Sequence, residues 1–530
     1  MTRLFKAQVR QGKERQRDRD YVQVQIMGDG TKMLSTRWPD AATTNSELDT
    51  RKNSTAPYNT VPDSEHHINL DWPLNQIPDP KTFKEFDVDF TMLYVDHVFP
   101  FLFPFYAPPM IQGGRAWVLD VLHSNQTLFQ AVMSLSTFFL TLILSSEDVS
   151  SYEVCRQNSW NRLEVYTNSA VKALRRDVLA MNQQHSETNM LQRVRTMESI
   201  TQLMVLEKAM ARTAELHMHL AAAISVFEDV LELSSLDGSI DLGRVMGHLE
   251  RPAWAPRTTQ GPVWNTEQAA LRFFFAILLQ ADVISCTTLQ TVPRLRKYYP
   301  NLICHEYGDA STDTQSLLRM EEYMGCEGWA LVNIAEIAAL EFWKRGEQEN
   351  GTFEAHHLTS RGDQIDRALQ DSLRELEDRC TKREREPRRL LQKFYLSSDV
   401  NQRLRQATTT RIWAHAARVY LTLVKTGWQP YHPTIRQSVV EVLRLLRQQE
   451  DPAILCSSVW PFCVAGCVAD ASLEQEFRDL AASSGSLQSF GLVGESLRIL
   501  ERVWSRRGEL SVDWNLAARF SIMGSPILLL

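Results

Sequence analysis

The sequence predicts an all-α fold, in which one large multi-helix domain of the helical-array type follows a disordered N-terminal segment. Three observations predict this class. Apolar residues recur at three- and four-residue steps along much of the chain, which is the period of a helix with one buried face. No stretch shows sustained two-residue alternation between turn signals, so no sheet is expected. No repeat of fixed period marks a named solenoid.

We expect three regions along the chain. Residues 1–85 are expected to be disordered, because the composition from Ser35 to Pro80 is polar with recurrent proline and asparagine and cannot offset its ordering entropy. Residues 86–510 are expected to form the helical domain, and residues 511–530 a C-terminal tail. A loop near residues 234–263 is expected to separate two helical halves, since Ser234–Gly261 is rich in glycine and proline.

Apolar spacing places the individual helices. A short helix from near Phe86 is expected to end before Pro100 and Pro104. The further candidate helices cover about 116–123, 125–145, 152–182, 189–232, 267–285, 314–344, 363–378, 401–425, 433–449, 460–483 and 487–505. Ser124 or Asn125 suits the N-cap of the helix over 125–145.

The composition indicates a soluble intracellular protein. Hydrophobic residues make up 44% of the 530 residues and charged residues 23%, which is ordinary for a globular chain. The net charge of -7 excludes attraction of the whole surface to polyanions, so a nucleic-acid contact would need a local basic patch. The eight cysteines are scattered and the first residues lack an apolar secretion core, which favours a reducing compartment.

One apolar segment, Leu128–Leu144, approaches the length of a membrane span. It contains hydroxyl residues and a glutamine, and it lacks basic flanks, whereas membrane segments usually carry such flanking charges. We therefore expect a buried core helix and no membrane association.

Two basic runs are candidates for nuclear import or phosphate contact. Acidic residues dilute the second run, and a solvated tail or linker is the more ordinary interpretation of either. The residues concerned are Lys13, Arg15, Arg17, Arg19, Lys382, Arg383, Arg385, Arg388 and Arg389.

Tests for catalytic and metal motifs give no site. Phosphate loops, nucleophile elbows and HExxH helices are absent from the sequence. His217 and His219 are two residues apart and would point in different directions on a helix. Cys463 and Cys467 would share a helix face, but two thiolates make an incomplete zinc site. Acidic residues at 228, 229 and 232 lack the paired-aspartate pattern of a magnesium-dependent cyclase. We predict no catalytic residue, no cofactor and no metal site.

The stretch Ala453–Asp470 predicts a tightly packed helix. Trp460 and Pro461 stand at a helix start, where proline is tolerated. The following small residues, above all Gly466, would let a neighbouring helix approach closely.

Three stretches, in this order, resemble a known family. The first runs from Gly114 through Trp117 to Leu128 and Ser136. The second is Glu198–Leu203, followed by His219–Ile224. The third is Trp460, Pro461 and Phe462 with Gly466. Together they resemble the fungal-specific transcription factor domain, the helical regulatory region C-terminal to the zinc binuclear cluster of fungal activators, over about residues 86–510.

The resemblance implies a nuclear, non-enzymatic regulator of RNA polymerase II genes, often beside a metabolic or secondary-metabolite gene cluster. Its partners would be the transcription machinery, promoter DNA or a DNA-binding partner, and a homodimer is one option. The family's six-cysteine zinc cluster is missing, since the first cysteine is Cys155. Either the chain is truncated, in which case zinc would belong to the missing cluster, or a partner contacts DNA. An all-helical interaction scaffold and a helical lyase or cyclase are the alternatives.

Overall fold

The computed structural model confirms the all-α fold. It describes residues 80–109, 114–146, 153–183, 190–234, 242–249, 264–304, 317–383, 400–449, 451–507, 515–524 and 526–530. Within these ranges the regular elements are helical, apart from one isolated bridge between Ile303 and Leu318. The chain divides into two compact units, Met1–Asp87 and Val88–Leu530, and the core lies within the second. The predicted N-terminal disorder concerns residues outside the described ranges up to residue 79, whereas residues 80–85, also expected to be disordered, belong to a helix that begins at Pro80.

The described part begins with a helix that continues further than expected. Helix α1 (Pro80–Leu93) leads through a π-helical turn (Tyr94–Val98) into α2 (Phe99–Leu102). The Phe99 N–H bonds the Tyr94 carbonyl, five residues back. Sequence reasoning ended the helix before Pro100, but this proline stands in the first turn after the wide π turn, where its missing N–H costs no α-helical bond.

The next helices form a layer of paired neighbours. Helix α4 (Gln126–Ser146) packs along α5 (Glu153–Gln183) and against α6 (Met190–Ala209), and α6 packs along α7 (Thr213–Leu233). Asn125 caps α4, as expected, because its Oδ1 accepts the Leu128 N–H at 3.1 Å. The predicted single helix 189–232 is broken, since Ala211 adopts a left-handed conformation that ends α6. The helices are α3 (Ala116–Ser124), α4 (Gln126–Ser146), α5 (Glu153–Gln183), α6 (Met190–Ala209) and α7 (Thr213–Leu233).

A central helix links the two halves. The predicted loop near 234–263 contains the short helix α8 (Leu242–Gly247), which forms because three of its apolar residues are buried. Helix α9 (Thr266–Leu289) then starts at a capping box between Asn265 and Gln268 and is buried on nearly all sides. It packs against α3, α6 and α7 and against helices of the second half.

The second half is also more divided than the apolar spacing indicated. The predicted helix 314–344 is interrupted because Gly325, with φ +75°, ends helix α11 (Met320–Met324) in a left-handed turn. A Cβ at Gly325 would lie 2.4 Å from the Phe105 ring, so only glycine fits there. The helices here are α10 (Tyr299–Leu302), α11 (Met320–Met324), α12 (Gly328–Asn350), α13 (Ala355–Arg383), α14 (Val400–Thr426) and α15 (Pro433–Arg447).

The C-terminal helices close the core. The predicted helix 460–483 ends at Cys467, and the Asp470 carboxylate accepts the Ser472 N–H in the turn that follows. Residues 511–530 were expected to form a tail, yet Phe520 and Leu528 are fully buried. The helices are α16 (Pro452–Ser457), α17 (Val459–Cys467), α18 (Glu474–Ala482), α19 (Val493–Ser505) and α20 (Leu516–Phe520).

Two of the described helices, α4 and α9, have the length and apolar composition that a membrane span requires. The most apolar window is 67% buried inside the structure in α4 and 89% buried in α9. Such burial is typical of core helices, which is what the sequence predicted for Leu128–Leu144.

Candidate functional site

Trp460 lies at the centre of the segment that the sequence singled out. Its side chain is fully buried, and its indole Nε1–H donates to Thr287 Oγ1 at 2.9 Å. The ring stacks on Trp413 at 5.6 Å between centroids and meets the edge of Tyr420. Helix α17 is thereby tied to α9 and α14 in a packing cluster that we call the Trp460 centre: Thr287, Trp413, Tyr420, Trp460 and Gly466.

Gly466 provides the close helix approach in this centre. A Cβ there would lie 2.4 Å from Leu500 Cδ1, and the Trp504 indole donates to the Gly466 carbonyl at 2.9 Å. Pro461 is buried in the first turn of α17. Helix α19 therefore lies against the small face of α17, at a distance that a larger residue would not allow.

Trp117 and Leu128 belong to a different part of the core. The Trp117 indole donates to the Tyr106 hydroxyl at 2.8 Å, and its ring packs 5.2 Å from Phe273. Leu128 is buried on α4. Phe273 lies near the start of α9 and Thr287 near its end. The central helix therefore connects the region around Trp117 with the Trp460 centre, and the residues that carry the family resemblance do not form one site.

The basic candidates fall outside the structural description. Lys382 and Arg383 belong to the last turn of α13, but their side chains are not among those described. The remaining basic candidates also lie outside the described residues, so their predicted roles stay predictions: Lys13, Arg15, Arg17, Arg19, Arg385, Arg388 and Arg389.

Most of the residues considered as metal ligands are either buried or paired with arginines. Cys463 is buried, which raises the pKa of its thiol well above the usual range. Burial also lowers the pKa of His219 to about 4. Of the acidic residues near 230, Glu228 pairs with Arg294 and Asp229 with Arg193.

One exposed cluster has ligand-type side chains. Among the described residues, Glu354, His356 and His357 could together face one ion. Glu354 Oε2 lies 3.4 Å from His356 Nδ1 and 3.2 Å from His357 Nε2. Both histidines lie in the first turn of α13.

Sequence reasoning missed a half-buried lysine beside a cavity. Lys208 lines a narrow cavity with Phe105, Tyr323 and Ser457. About 40 Å³ of the cavity is wide enough for the centre of a water molecule, which corresponds to roughly three waters. Burial lowers the pKa of Lys208 to about 8, and its described neighbour Cys456 is a neutral thiol whose pKa is raised to about 12. The only sequence signal is a cation within the apolar run that ends α6.

The family model and the similar proteins point to the same class of protein. Residues 90–529 match the model of the fungal specific transcription factor domain. Transcription factor dibT of Pestalotiopsis microspora is 34% identical over 83% of this chain and 70% of its own length. Pestheic acid cluster transcriptional regulator 3 of Pestalotiopsis fici is 26% identical over 80% and 72%. The trichothecene biosynthesis transcription regulator TRI10 of Trichoderma arundinaceum is 26% identical over 82% and 94%. No solved structure matches the chain.

Proposed function

Because the chain belongs to the fungal-specific transcription factor domain family and is a transcriptional regulator, we propose that its targets are the genes of one secondary-metabolite cluster. The names of its relatives support this proposal. One is called a regulator of the pestheic acid cluster, one of trichothecene biosynthesis and one a transcription factor of the ustiloxin B cluster. The observation that carries the proposal is the family match over residues 90–529.

We further propose that the protein reaches promoters in the nucleus through a DNA-binding partner. The family implies contact with DNA or with the transcription machinery. Within these 530 residues the cysteines are scattered, and the first is Cys155, whereas a zinc binuclear cluster requires six closely spaced thiolates. A partner chain, or a second copy of this chain joined to such a partner, would supply the sequence-specific contact with promoter DNA.

Chromatin immunoprecipitation of the full chain, combined with transcript sequencing in a deletion strain, tests the target proposal. We expect enrichment at promoters of adjacent biosynthetic genes and a changed transcript level for the same genes on deletion. Absence of promoter enrichment, with unchanged transcripts across every biosynthetic cluster, would sink the proposal.

A mobility-shift assay on the enriched promoter fragments tests the partner. We expect the purified chain alone to leave the fragments unshifted, and a nuclear fraction containing the chain to produce a shift that an antibody against the chain alters. A sequence-specific shift by the purified chain alone would show that it needs no partner.

The two basic runs are proposed to act in nuclear import. One variant replaces Lys13, Arg15, Arg17 and Arg19 by glutamine, and a second replaces Lys382, Arg385, Arg388 and Arg389 by glutamine, so that each variant loses four positive charges. We expect at least one of these variants of a fluorescently labelled chain to move from the nucleus to the cytoplasm, and the other serves as its charge-matched control. Full nuclear retention of the chain carrying both sets would refute the import role.

A further inference from the structure

A large polar cleft lies where α4, α5 and α6 meet, away from both aromatic regions of the core. Its volume is about 790 Å³, within the range of small-molecule sites in proteins. Unlike the narrow cavity beside Lys208, it is lined mainly by polar and charged side chains. We call it the Lys172–Arg176 cleft, after two cations in its lining.

These two cations are not committed to partners. Lys172 and Arg176 are four residues apart on α5 and so share one face of the helix. Both are exposed and both line the cleft. Among the described residues, no ion pair or hydrogen bond engages either side chain, so their charge is free to meet an anion.

The other charged groups in the lining are already engaged. Arg195 donates to Glu267 at 2.6 Å. The carboxylate of Asp177 accepts the Thr127 hydroxyl at 2.6 Å. Within the described part of the chain, the cleft therefore offers two free positive charges beside one carboxylate that is partly satisfied, and its electrostatic preference is for an anion.

Neutral donors surround the two cations. The side-chain amides of Gln126 and Gln130 line the cleft and have no partner among the described residues. Asn125 is fixed instead, because its amide donates to Ser199 Oγ at 2.9 Å while its Oδ1 caps α4. Helix α4 thus begins at the cleft, and the positive end of its dipole adds to the field there.

We propose that the Lys172–Arg176 cleft binds a small polar molecule bearing a phosphate group. A phosphate has oxygens enough to accept from both cations and from the glutamine amides. The volume also leaves room for a polar body such as a sugar or a nucleoside. The cleft presents two free cations in a concave site, whereas a DNA backbone needs a longer row of contacts. This inference goes beyond the proposed function and does not depend on it.

Isothermal titration calorimetry on the full chain tests the site, with inorganic phosphate, glucose 6-phosphate and AMP as probes. We expect saturable binding of at least one probe at a single site. Tighter binding of an ester than of inorganic phosphate identifies a phosphorylated metabolite, and equal or weaker binding identifies free phosphate as the ligand. No saturable binding of any probe would overturn the proposal.

A double variant in the cleft and a single-charge control on the same helix place the site. The double variant Lys172→Gln/Arg176→Gln should weaken binding of the probe at least tenfold. Arg175→Gln should leave it unchanged, because Arg175 is an exposed cation on the same helix that does not line the cleft. Equal weakening by Arg175→Gln would mean diffuse attraction to a basic helix face and would overturn the proposal.

Two further outcomes are decisive. Thermal unfolding followed by circular dichroism should give the same midpoint for the double variant and the unmodified chain without ligand, which ties any lost affinity to the site. Binding of duplex DNA that the double variant loses, with no binding of the three small probes, would identify a nucleic-acid surface and overturn the small-molecule site.

Discussion

The Trp460 centre and the Lys172–Arg176 cleft make opposite uses of their residues. In the Trp460 centre, buried rings and a glycine fill space, and the Trp460 indole N–H donates to Thr287. In the cleft, two cations and two amides line the wall and have no partner in the described part of the chain. The packing in the Trp460 centre stabilises the fold, whereas the side chains of the cleft remain available to bind a ligand. Stability and recognition are therefore separable in this domain, and substitutions should reveal the separation.

The largest expected effect is the loss of the Trp460 ring. Trp460→Ala removes a fully buried side chain and should lower the free energy of unfolding by about 3–5 kcal/mol, as large aromatic truncations in cores do. Urea denaturation measures the change. Tyr431→Ala, at a side chain that is 74% exposed, is the control and should stay within about 0.5 kcal/mol. Similar small losses in both variants would contradict the central role of Trp460.

The next effect comes from overpacking at Gly466. Gly466→Leu places new atoms where Leu500 already lies and should cost about 1–3 kcal/mol. Gly346→Leu is the matched control, because that glycine is also helical and a Cβ added to it would have no neighbouring atom within 4 Å. An unchanged melting temperature in Gly466→Leu would show that α19 can move away from α17 freely.

A pH-dependent effect is expected from Glu198, which stands next to the cleft residue Ser199. Glu198 is fully buried, and both carboxylate oxygens lack a hydrogen-bond partner among the described residues. Burial raises its pKa well above the usual range, and the charge of Glu267 adds to this effect. The folded chain therefore keeps the Glu198 proton at a pH where the unfolded chain has released it.

The sign of this linkage follows directly. Glu198 contributes a loss of stability as pH rises above the ordinary glutamate pKa, by up to about 1.4 kcal/mol for each pH unit. Glu198→Gln removes this pH-dependent loss of stability. The free energy of unfolding of the variant, relative to that of the unmodified chain, should therefore be higher at pH 6.5 than at pH 5.5. Denaturation of both proteins at these two pH values measures the gain. A constant difference between them would mean that Glu198 does not titrate on unfolding.

The smallest expected effect on stability belongs to the cleft. Lys172→Gln/Arg176→Gln should change the free energy of unfolding by less than about 0.5 kcal/mol, because exposed side chains without partners contribute little to the fold. Urea denaturation in phosphate-free buffer measures it. A loss comparable to that of Gly466→Leu would show that the two cations support the fold, and the contrast between the two regions would fail.

Helical periodicity is strong enough to predict most of this fold. The apolar faces of α4, α5, α9 and α14 appear in the sequence, and so does the small face around Gly466. The helix breaks were missed at Ala211 and after Gly325, because a left-handed residue leaves no apolar gap. Residues 511–530 were predicted to be a tail, whereas Leu528 is buried in the core. The apolar run at this end is too short to show a helical period.

The functional groups were harder to predict, for a different physical reason. Lys172 and Arg176 resemble any solvated pair of cations on a helix until the packing of α4 and α6 against α5 makes them part of the lining of a cleft. Lys208 is one cation in an apolar run, and only the packing of distant segments shows that it lines a cavity. A cleft built from three helices is a property of tertiary arrangement, and spacing within one segment does not contain it.

The buried cysteines have a practical consequence. Cys286, Cys326, Cys463 and Cys467 are buried free thiols, and burial raises the pKa of Cys286 to about 12. A thiol reagent attacks the thiolate, so it reaches these sulfurs only when the structure opens. The alkylation rate of these thiols therefore measures how often the domain opens. This rate can be compared with and without phosphate, and inside cells as well as in the purified protein.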